Sequence, residues 1–230
     1  MRALILAALL AAAPLAVQAG DETKSDPISP LCAQPGACRP TRTLTLDDGK
    51  GGAMTVLIDK PTPWLQNNNL TLMPGETVTL RFSRGADGGL NAEVVSAGLA
   101  DPADTDDMIR RHLQVSDTTK PDDQNLYTVR GLAGAHQPPP RDTVRFTFRQ
   151  AAGRVESVLI VEDGYQGTLR YRATMLVDEG AARPTDVCDV QGGRLMVEQW
   201  PHPIFVISLT GLRLIPPQLD ENGAPTVHCE

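Results

Sequence analysis

Apolar and polar residues alternate with a period of two along much of this 230-residue chain. In the clearest stretch, Glu76 to Ser83, the side chains of Val78, Leu80 and Phe82 fall on one face of an extended backbone, and Thr and Arg residues fall on the other. This alternation is typical of antiparallel strands that bury one face. About ten or eleven such strands recur at spacings of roughly 8 to 15 residues and predict an all-β fold.

Many short antiparallel strands separated by turns predict a β-sandwich, which we expect to be immunoglobulin-like in general architecture. Strands do not alternate with long helical segments, so a parallel sheet is not expected. One short helix is predicted at Asp104 to Gln114, where Asp104 can cap the helix N-terminus. Towards the C-terminus the pattern predicts two separate strands, Ile204 to Leu209 and Leu212 to Ile215.

The first 19 residues have the composition of a cleavable signal peptide. Arg2 supplies a short basic region, Ala3 to Val17 form an apolar run too short to span a membrane comfortably, and Ala19 ends the segment with a small residue. No later segment of the sequence approaches the length of a membrane-spanning helix. We therefore expect a periplasmic or secreted protein whose mature chain has no transmembrane segment.

The rest of the chain divides by composition into a leader and one domain. Residues 20–41 are rich in proline and predict an extended leader. Residues 42–230 are expected to form a single β-sandwich domain. A candidate sub-boundary lies near residues 136–142, where three consecutive prolines stiffen the chain.

Four cysteines, an even number, are expected to form two disulfide bonds in an oxidising compartment. They are Cys32, Cys38, Cys188 and Cys229. We favour the pairs Cys32 with Cys38 and Cys188 with Cys229. The alternative links each N-terminal cysteine to a C-terminal one, and the sequence does not separate the two patterns. The chain has no Cys-x₂-Cys motif and no paired histidine spacing, so a zinc site is not expected.

Acidic residues outnumber basic ones. Without its first 19 residues the chain carries 20 basic and 28 acidic side chains, and the arginines are scattered rather than clustered. Proteins that bind nucleic acid usually present a basic stripe or patch. Nucleic acid is therefore not an expected partner.

No catalytic motif stands out in the sequence. The Gly-x-Ser-x-Gly turn of α/β-hydrolases is missing, and the four histidines are spread over separate segments. A cluster of four acids gives candidate calcium ligands: Asp101, Asp104, Asp106 and Asp107. Their spacing differs from that of an EF-hand, and helix capping also accounts for Asp104 and Asp107. We expect no resident cofactor.

Two tryptophans and one histidine are the candidate contact residues. Trp64 lies in the segment Pro61 to Leu72, and Trp200 and His202 lie in a proline-rich bend that ends at Ile204. Because prolines reduce the entropy lost on docking, these two segments are the predicted interaction surface. The alternative is that the Trp200 indole anchors the core.

The C-terminal third contains Leu169-Arg-Tyr171-Arg-Ala173, Thr185-Asp-Val187-Cys188 and Glu198-Gln-Trp200-Pro201-His-Pro203-Ile204. These motifs resemble a region, Thr-x-Val-Cys followed by Glu-x-Trp-Pro-x-Pro-Ile, that is shared by uncharacterised exported proteins of Gram-negative bacteria. The resemblance covers roughly residues 155–215. It implies an extracytoplasmic location and no particular activity.

The function that these features favour is a non-catalytic binding module of the cell envelope, whose partner is another envelope protein. Two alternatives remain open from the sequence. One is an extracytoplasmic hydrolase, which would show a deep cleft with convergent acids of shifted pKa. The other is a module that binds calcium or a small ligand.

Overall fold

The computed structural model describes residues 29–84, 90–101, 105, 127–128, 139–177, 181–224 and 226–230. Within them the chain is almost entirely β-structure, which confirms the all-β prediction. The elements in chain order are a 3₁₀ turn (Pro30–Ala33) and the strands β1 (Cys38–Arg39), β2 (Arg42–Asp47), β3 (Ala53–Ile58), β4 (Thr62–Pro63), β5 (Leu65–Gln66), β6 (Asn69–Leu72), β7 (Glu76–Arg84), β8 (Leu90–Leu99), β9 (Tyr127–Thr128), β10 (Val144–Gln150), β11 (Ser157–Asp163), β12 (Thr168–Leu176), β13 (Arg183–Thr185), β14 (Arg194–Trp200) and β15 (Val206–Ile215).

Two antiparallel sheets pack against each other as a sandwich. The six-stranded sheet has the strand order β8-β7-β10-β11-β14-β9, and the five-stranded sheet has the order β13-β12-β15-β6-β5. Two smaller pairs, β1 with β4 and β2 with β3, complete the described strands. The sandwich shares the two-layer architecture of immunoglobulin domains but has more strands than their usual seven to nine.

The core lies between the two sheets, and its side chains follow the alternation seen in the sequence. Val78, Leu80 and Phe82 of β7 all belong to the core, as do Leu169 and Ala173 of β12 in the opposite sheet. Full burial of an aliphatic or aromatic side chain contributes roughly 1.5–3 kcal/mol. The hydrophobic pattern that predicts the strands therefore also stabilises the packing of one sheet on the other.

The last strand differs from the prediction. Val206–Ile215 form one continuous strand, β15, so the predicted division into Ile204 to Leu209 and Leu212 to Ile215 is wrong. Gly211 has a φ of 62°, and the register with β12 shifts at this point. Glycine adopts this left-handed conformation without steric cost, so a bulge accommodates the residue that seemed to interrupt the strand.

The structured domain begins before Arg42. Residues 29–41 of the predicted leader lie against the sandwich, because β1 pairs with β4 and the Arg39 side chain is only 2% exposed. The predicted signal peptide, residues 1–19, lies outside the described residues. So does the predicted helix, Asp104 to Gln114, except for Thr105. No helix in the described ranges is long and apolar enough to cross a membrane.

Candidate functional site

A groove of about 760 Å³ lies between the N-terminal cysteine loop and strand β8. Its lining comes from three separate segments of the chain: residues 31 and 34–37, residues 65, 67 and 68, and residues 91–97. The first segment forms one wall, and β8, at the edge of the six-stranded sheet, forms the other. The groove is thus a product of the tertiary fold.

The N-terminal wall is held in place by covalent and backbone bonds. Cys32 and Cys38 form a disulfide, so the loop that they close is fixed at both ends. The Ser29 hydroxyl accepts a hydrogen bond from the Leu31 N–H and caps the 3₁₀ turn. At the far end of the loop, the Trp64 N–H donates to the Ala37 carbonyl oxygen at 3.1 Å. These bonds attach the wall to the sandwich and restrict its motion.

A buried ion network anchors the same wall. Arg39 Nε lies 3.0 Å from Glu76 Oε1, and Arg42 lies 2.9 Å from the same oxygen. Arg39 also donates to the Thr62 hydroxyl at 2.9 Å, and its guanidinium lies 4.8 Å from the centre of the Trp64 ring. Burial raises the pKa of Glu76 despite the two arginines, which shows how strongly the carboxylate is desolvated.

The floor of the groove contains a tight hairpin between β5 and β6. Asn67 and Asn68 both have positive φ, 53° and 59°, as a type I′ hairpin turn requires. The Asn68 side chain then reaches the outer edge of β8, where it donates to the Leu90 carbonyl oxygen at 2.8 Å and accepts from the Ala92 N–H at 2.9 Å. The Asn68 amide thus pairs with β8 as the peptide group of a neighbouring strand would.

Beyond Ala92 the outer edge of β8 is the open part of the groove. In the described part of the chain β8 pairs only with β7. Two apolar side chains at the groove are partly solvent-accessible, Val95 at 41% and Leu31 at 40%. Natural sheets usually protect exposed edges with charged side chains, proline, a bulge or a covering element. In β8 a bulge lies at Val95, where the register with β7 shifts. The sequence of β8 contains neither lysine nor proline.

The chemistry of the lining favours a polar ligand that carries no negative charge. Glu93 is the one charged side chain among the described lining residues, and the polar lining residues are otherwise neutral, including Gln34, Asn67 and Asn91. Primary amides both donate and accept hydrogen bonds, as peptide groups do. Because the described lining contains an acid and no base, it does not favour an anionic ligand.

A second polar region lies inside the sandwich, away from the groove lining. Glu198 on β14 points inward, because Met196 and Trp200 on the same side of the strand both belong to the core. Its carboxylate accepts a hydrogen bond from the Cys188 N–H at 2.6 Å. Burial raises the pKa of Glu198 to about 7. The pKa of the buried Tyr171 hydroxyl is raised well above its ordinary value by burial and by the charge of Glu198.

Asp163 is a second inward-facing acid. It is buried at the end of β11 and accepts a hydrogen bond from the Tyr165 N–H at 2.8 Å. Burial raises its pKa to about 7. The strand register places Glu198 opposite Leu159, four residues before Asp163, so the two acids lie about 13 Å apart along the sheet. Paired carboxylates of glycosidases lie about 5–9.5 Å apart, so these two do not form such a pair.

The raised pKa of Glu198 predicts a stability that depends on pH. A carboxyl whose pKa is higher in the folded state than in the unfolded state stabilises the fold below pH 4.5, and this contribution is lost as the pH rises through about 7. The effect is roughly 3 kcal/mol. We expect the free energy of unfolding to fall between pH 5 and 8, and to fall by roughly 3 kcal/mol less in the Glu198→Gln variant.

Denaturant titrations at a series of pH values measure this difference. Glu156→Gln is the matched control. Partial burial raises the pKa of Glu156, but the hydrogen bond from Arg154 contributes to a net shift below the ordinary value. Glu156 therefore titrates below the range of pH 5 to 8. The control should therefore keep the pH dependence of the natural chain. An identical pH dependence in the natural chain and Glu198→Gln would contradict the raised pKa of Glu198 as a cause of the pH dependence.

The predicted contact residues lie elsewhere than expected. Trp64 and Trp200 are both buried in the core, and His202 is partly buried. The Trp200 indole N–H donates to the Thr185 hydroxyl at 2.7 Å, and its ring packs edge-on against Phe148. Trp64 and Trp200 are therefore too deeply buried to serve as exposed contacts, and His202 stays a predicted contact residue. The prolines around Trp200 position a core residue, the alternative that the sequence left open.

The other predicted site residues have mixed outcomes. Both favoured disulfides are present, Cys32 with Cys38 and Cys188 with Cys229. Of the candidate calcium ligands, Asp101 is exposed, and Asp104, Asp106 and Asp107 lie outside the described residues. The calcium site therefore stays a prediction. Among the described residues, no three His, Cys, Asp or Glu side chains are grouped as metal ligands.

Sequence reasoning missed Arg39, Glu76 and Asn68. The local sequence gives no sign that an arginine between Cys38 and Pro40 is buried, since its partner Glu76 is 37 residues away. Consecutive asparagines at 67–69 are typical of a turn, but they give no sign of the hydrogen bonds from Asn68 to β8. This chain was compared with family models, curated proteins and solved structures, and no match was found among them.

Proposed function

We propose that this chain is an extracytoplasmic interaction module that holds an extended segment of a partner protein in the groove beside β8. The observation that carries the proposal is the groove itself, an open channel with a rigid disulfide-closed wall on one side and a sheet edge on the other. The expected partner is another protein of the cell envelope. Two disulfides are compatible with a location outside the cytoplasm.

The lining supports a polypeptide over other ligands. An extended peptide offers amide groups to Gln34, Asn67 and Asn91, and apolar side chains to Val95 and Leu31. A nucleic acid or a phosphate would meet the carboxylate of Glu93 and no basic lining residue among those described. Glu198 and Asp163 have the raised pKa that the hydrolase alternative predicts, but they lie inside the sandwich and about 13 Å apart, so they do not converge. Among the described residues, no group of acids favours the calcium-binding alternative.

The test is a selection of short random peptides, displayed on phage, against the purified disulfide-bonded protein. We expect enriched peptides to bind the natural chain and to lose at least tenfold in affinity for Val95→Lys, because the lysine places a charge in the apolar part of the groove. Val95 is 41% exposed, so the substitution is compatible with folding.

The matched control is Leu57→Lys, which places the same charge at a side chain that is 70% exposed on β3 and does not line the groove. Its affinity for the selected peptides should equal that of the natural chain. Failure to enrich any peptide, or equal binding by Val95→Lys and the natural chain, would contradict the proposed function.

A further inference from the structure

We infer that the partner segment binds by adding a strand to the six-stranded sheet, with its backbone paired to β8 from Val94 onward. This inference rests on the proposed function and specifies how the groove recognises its ligand. The alternative is a ligand held by side-chain contacts alone. The two modes differ in which peptide atoms carry the affinity.

The bonds of Asn68 define which groups of β8 point outward. In an antiparallel ladder, the N–H and C=O of one residue point to the same side, and successive residues alternate. The Leu90 carbonyl and the Ala92 N–H both point away from β7, since Asn68 binds them. By the same alternation, the Val94 N–H points into the groove. Within the described chain Val94 has no partner on that side.

Asn68 also sets one end of the added strand. Its amide already occupies the positions that a partner would use at Leu90 and Ala92. An incoming peptide therefore continues the line of hydrogen bonds that Asn68 begins. The pairing can extend towards Leu99, where β8 ends. The register with β7 shifts at Val95, where a bulge increases the local twist of β8. A twisted edge accommodates a single peptide strand more readily than the flat edge of a second sheet.

The charges beside the edge define the chemistry of the peptide. Arg81 of β7 lies directly opposite Glu93 of β8, and both side chains are exposed. Cross-strand neighbours of opposite charge stabilise a sheet. A lysine or arginine on the added strand, next to Glu93, would continue the row of alternating charge. Its neighbours on the other face would pack against Leu65 and Val94, which are partly buried against the core.

The inferred ligand is therefore an extended peptide that carries one basic residue beside small or apolar ones. Because backbone bonds supply much of the affinity, several unrelated sequences with this pattern should bind. An acidic residue in the position next to Glu93 should weaken binding, since like charges would face each other across the strand pair.

An N-methyl scan of a selected peptide tests the inference. Methylation removes one backbone N–H at a time, and only alternate N–H groups of an added strand face β8. We expect losses of about tenfold at every second position and little loss between them. A flat profile in a peptide that still discriminates Val95→Lys from Leu57→Lys would overturn strand addition and leave the proposed function intact.

Amide hydrogen exchange gives a second readout that needs no substitution. Strand addition should slow exchange of the Val94 amide when the selected peptide binds, because that N–H gains a carbonyl partner. Exchange of the Ala92 amide should change little, since Asn68 already accepts its hydrogen bond. Unchanged exchange at Val94 in the peptide complex would also overturn the inference.

Discussion

Replacement of Glu76 by alanine is expected to lower the free energy of unfolding by about 4 kcal/mol. The substitution removes the carboxylate that accepts hydrogen bonds from Arg39 and Arg42 and leaves the Arg39 guanidinium buried without its counter-charge. The Met73 N–H also loses its acceptor, Glu76 Oε2 at 2.7 Å. An unpaired buried charge is far more costly than the loss of an exposed ion pair.

Guanidinium unfolding followed by circular dichroism measures the effect. Glu156→Ala is the matched control, because it removes the same type of side chain from an ion pair with Arg154 that is partly exposed to solvent. It should cost less than about 1 kcal/mol. Glu76→Gln keeps the size of the side chain, and its loss of unfolding free energy is expected to lie between those of Glu76→Ala and Glu156→Ala. It replaces Glu76→Ala in the comparison if that variant does not fold. Equal losses at positions 76 and 156 would show that the buried network does not anchor the N-terminal wall.

Removal of the Cys188–Cys229 disulfide by a double serine substitution should cost about 4 kcal/mol. The bond closes a loop with a sequence separation of 41 residues, and it holds the C-terminal tail beside residues 187–189. Backbone hydrogen bonds between Val187 and Glu230 run in both directions, at 2.8 and 3.0 Å, and depend on that attachment. The entropy gained by the unfolded chain rises with the length of the loop that is released.

The Cys32–Cys38 disulfide provides the comparison within the same molecule. Its sequence separation is 6 residues, so its removal by the equivalent double serine substitution should cost only about 2 kcal/mol. Denaturant unfolding of both variants under the same conditions shows which disulfide contributes more to the free energy of unfolding. A larger cost for the short loop would mean that it contributes mainly through contacts of the N-terminal wall rather than through chain entropy.

The strands and the disulfides were accessible to sequence reasoning because their signals are local or few. The alternation at Val78, Leu80 and Phe82 depends only on neighbours along one strand. Four cysteines allow three pairings, and the structure contains the favoured one. The bulge at Gly211 was not predictable in the same way, because an isolated glycine indicates a break as readily as a bulge within a strand.

The groove could not be predicted from the sequence, and the reason is physical. Its lining brings residues near 31–37, 65–68 and 91–97 together, and each segment separately has the composition of an ordinary loop or edge strand. Arg39 lies in a proline-rich stretch whose composition indicates an extended, solvated chain. Its burial depends on Glu76, which becomes its neighbour only in the folded sandwich. Exposure of the edge of β8 likewise depends on which strands pair.

The most direct test of the central claim is photo-cross-linking in intact cells that produce the protein. A photoreactive amino acid at position 95 should form adducts with an extended segment of a partner, and the selected peptide should suppress them by competition. The same amino acid at position 57, which is exposed outside the groove, should not give those adducts. Adducts of equal yield at both positions, or adducts at 95 that the peptide does not displace, would contradict a binding role for the groove.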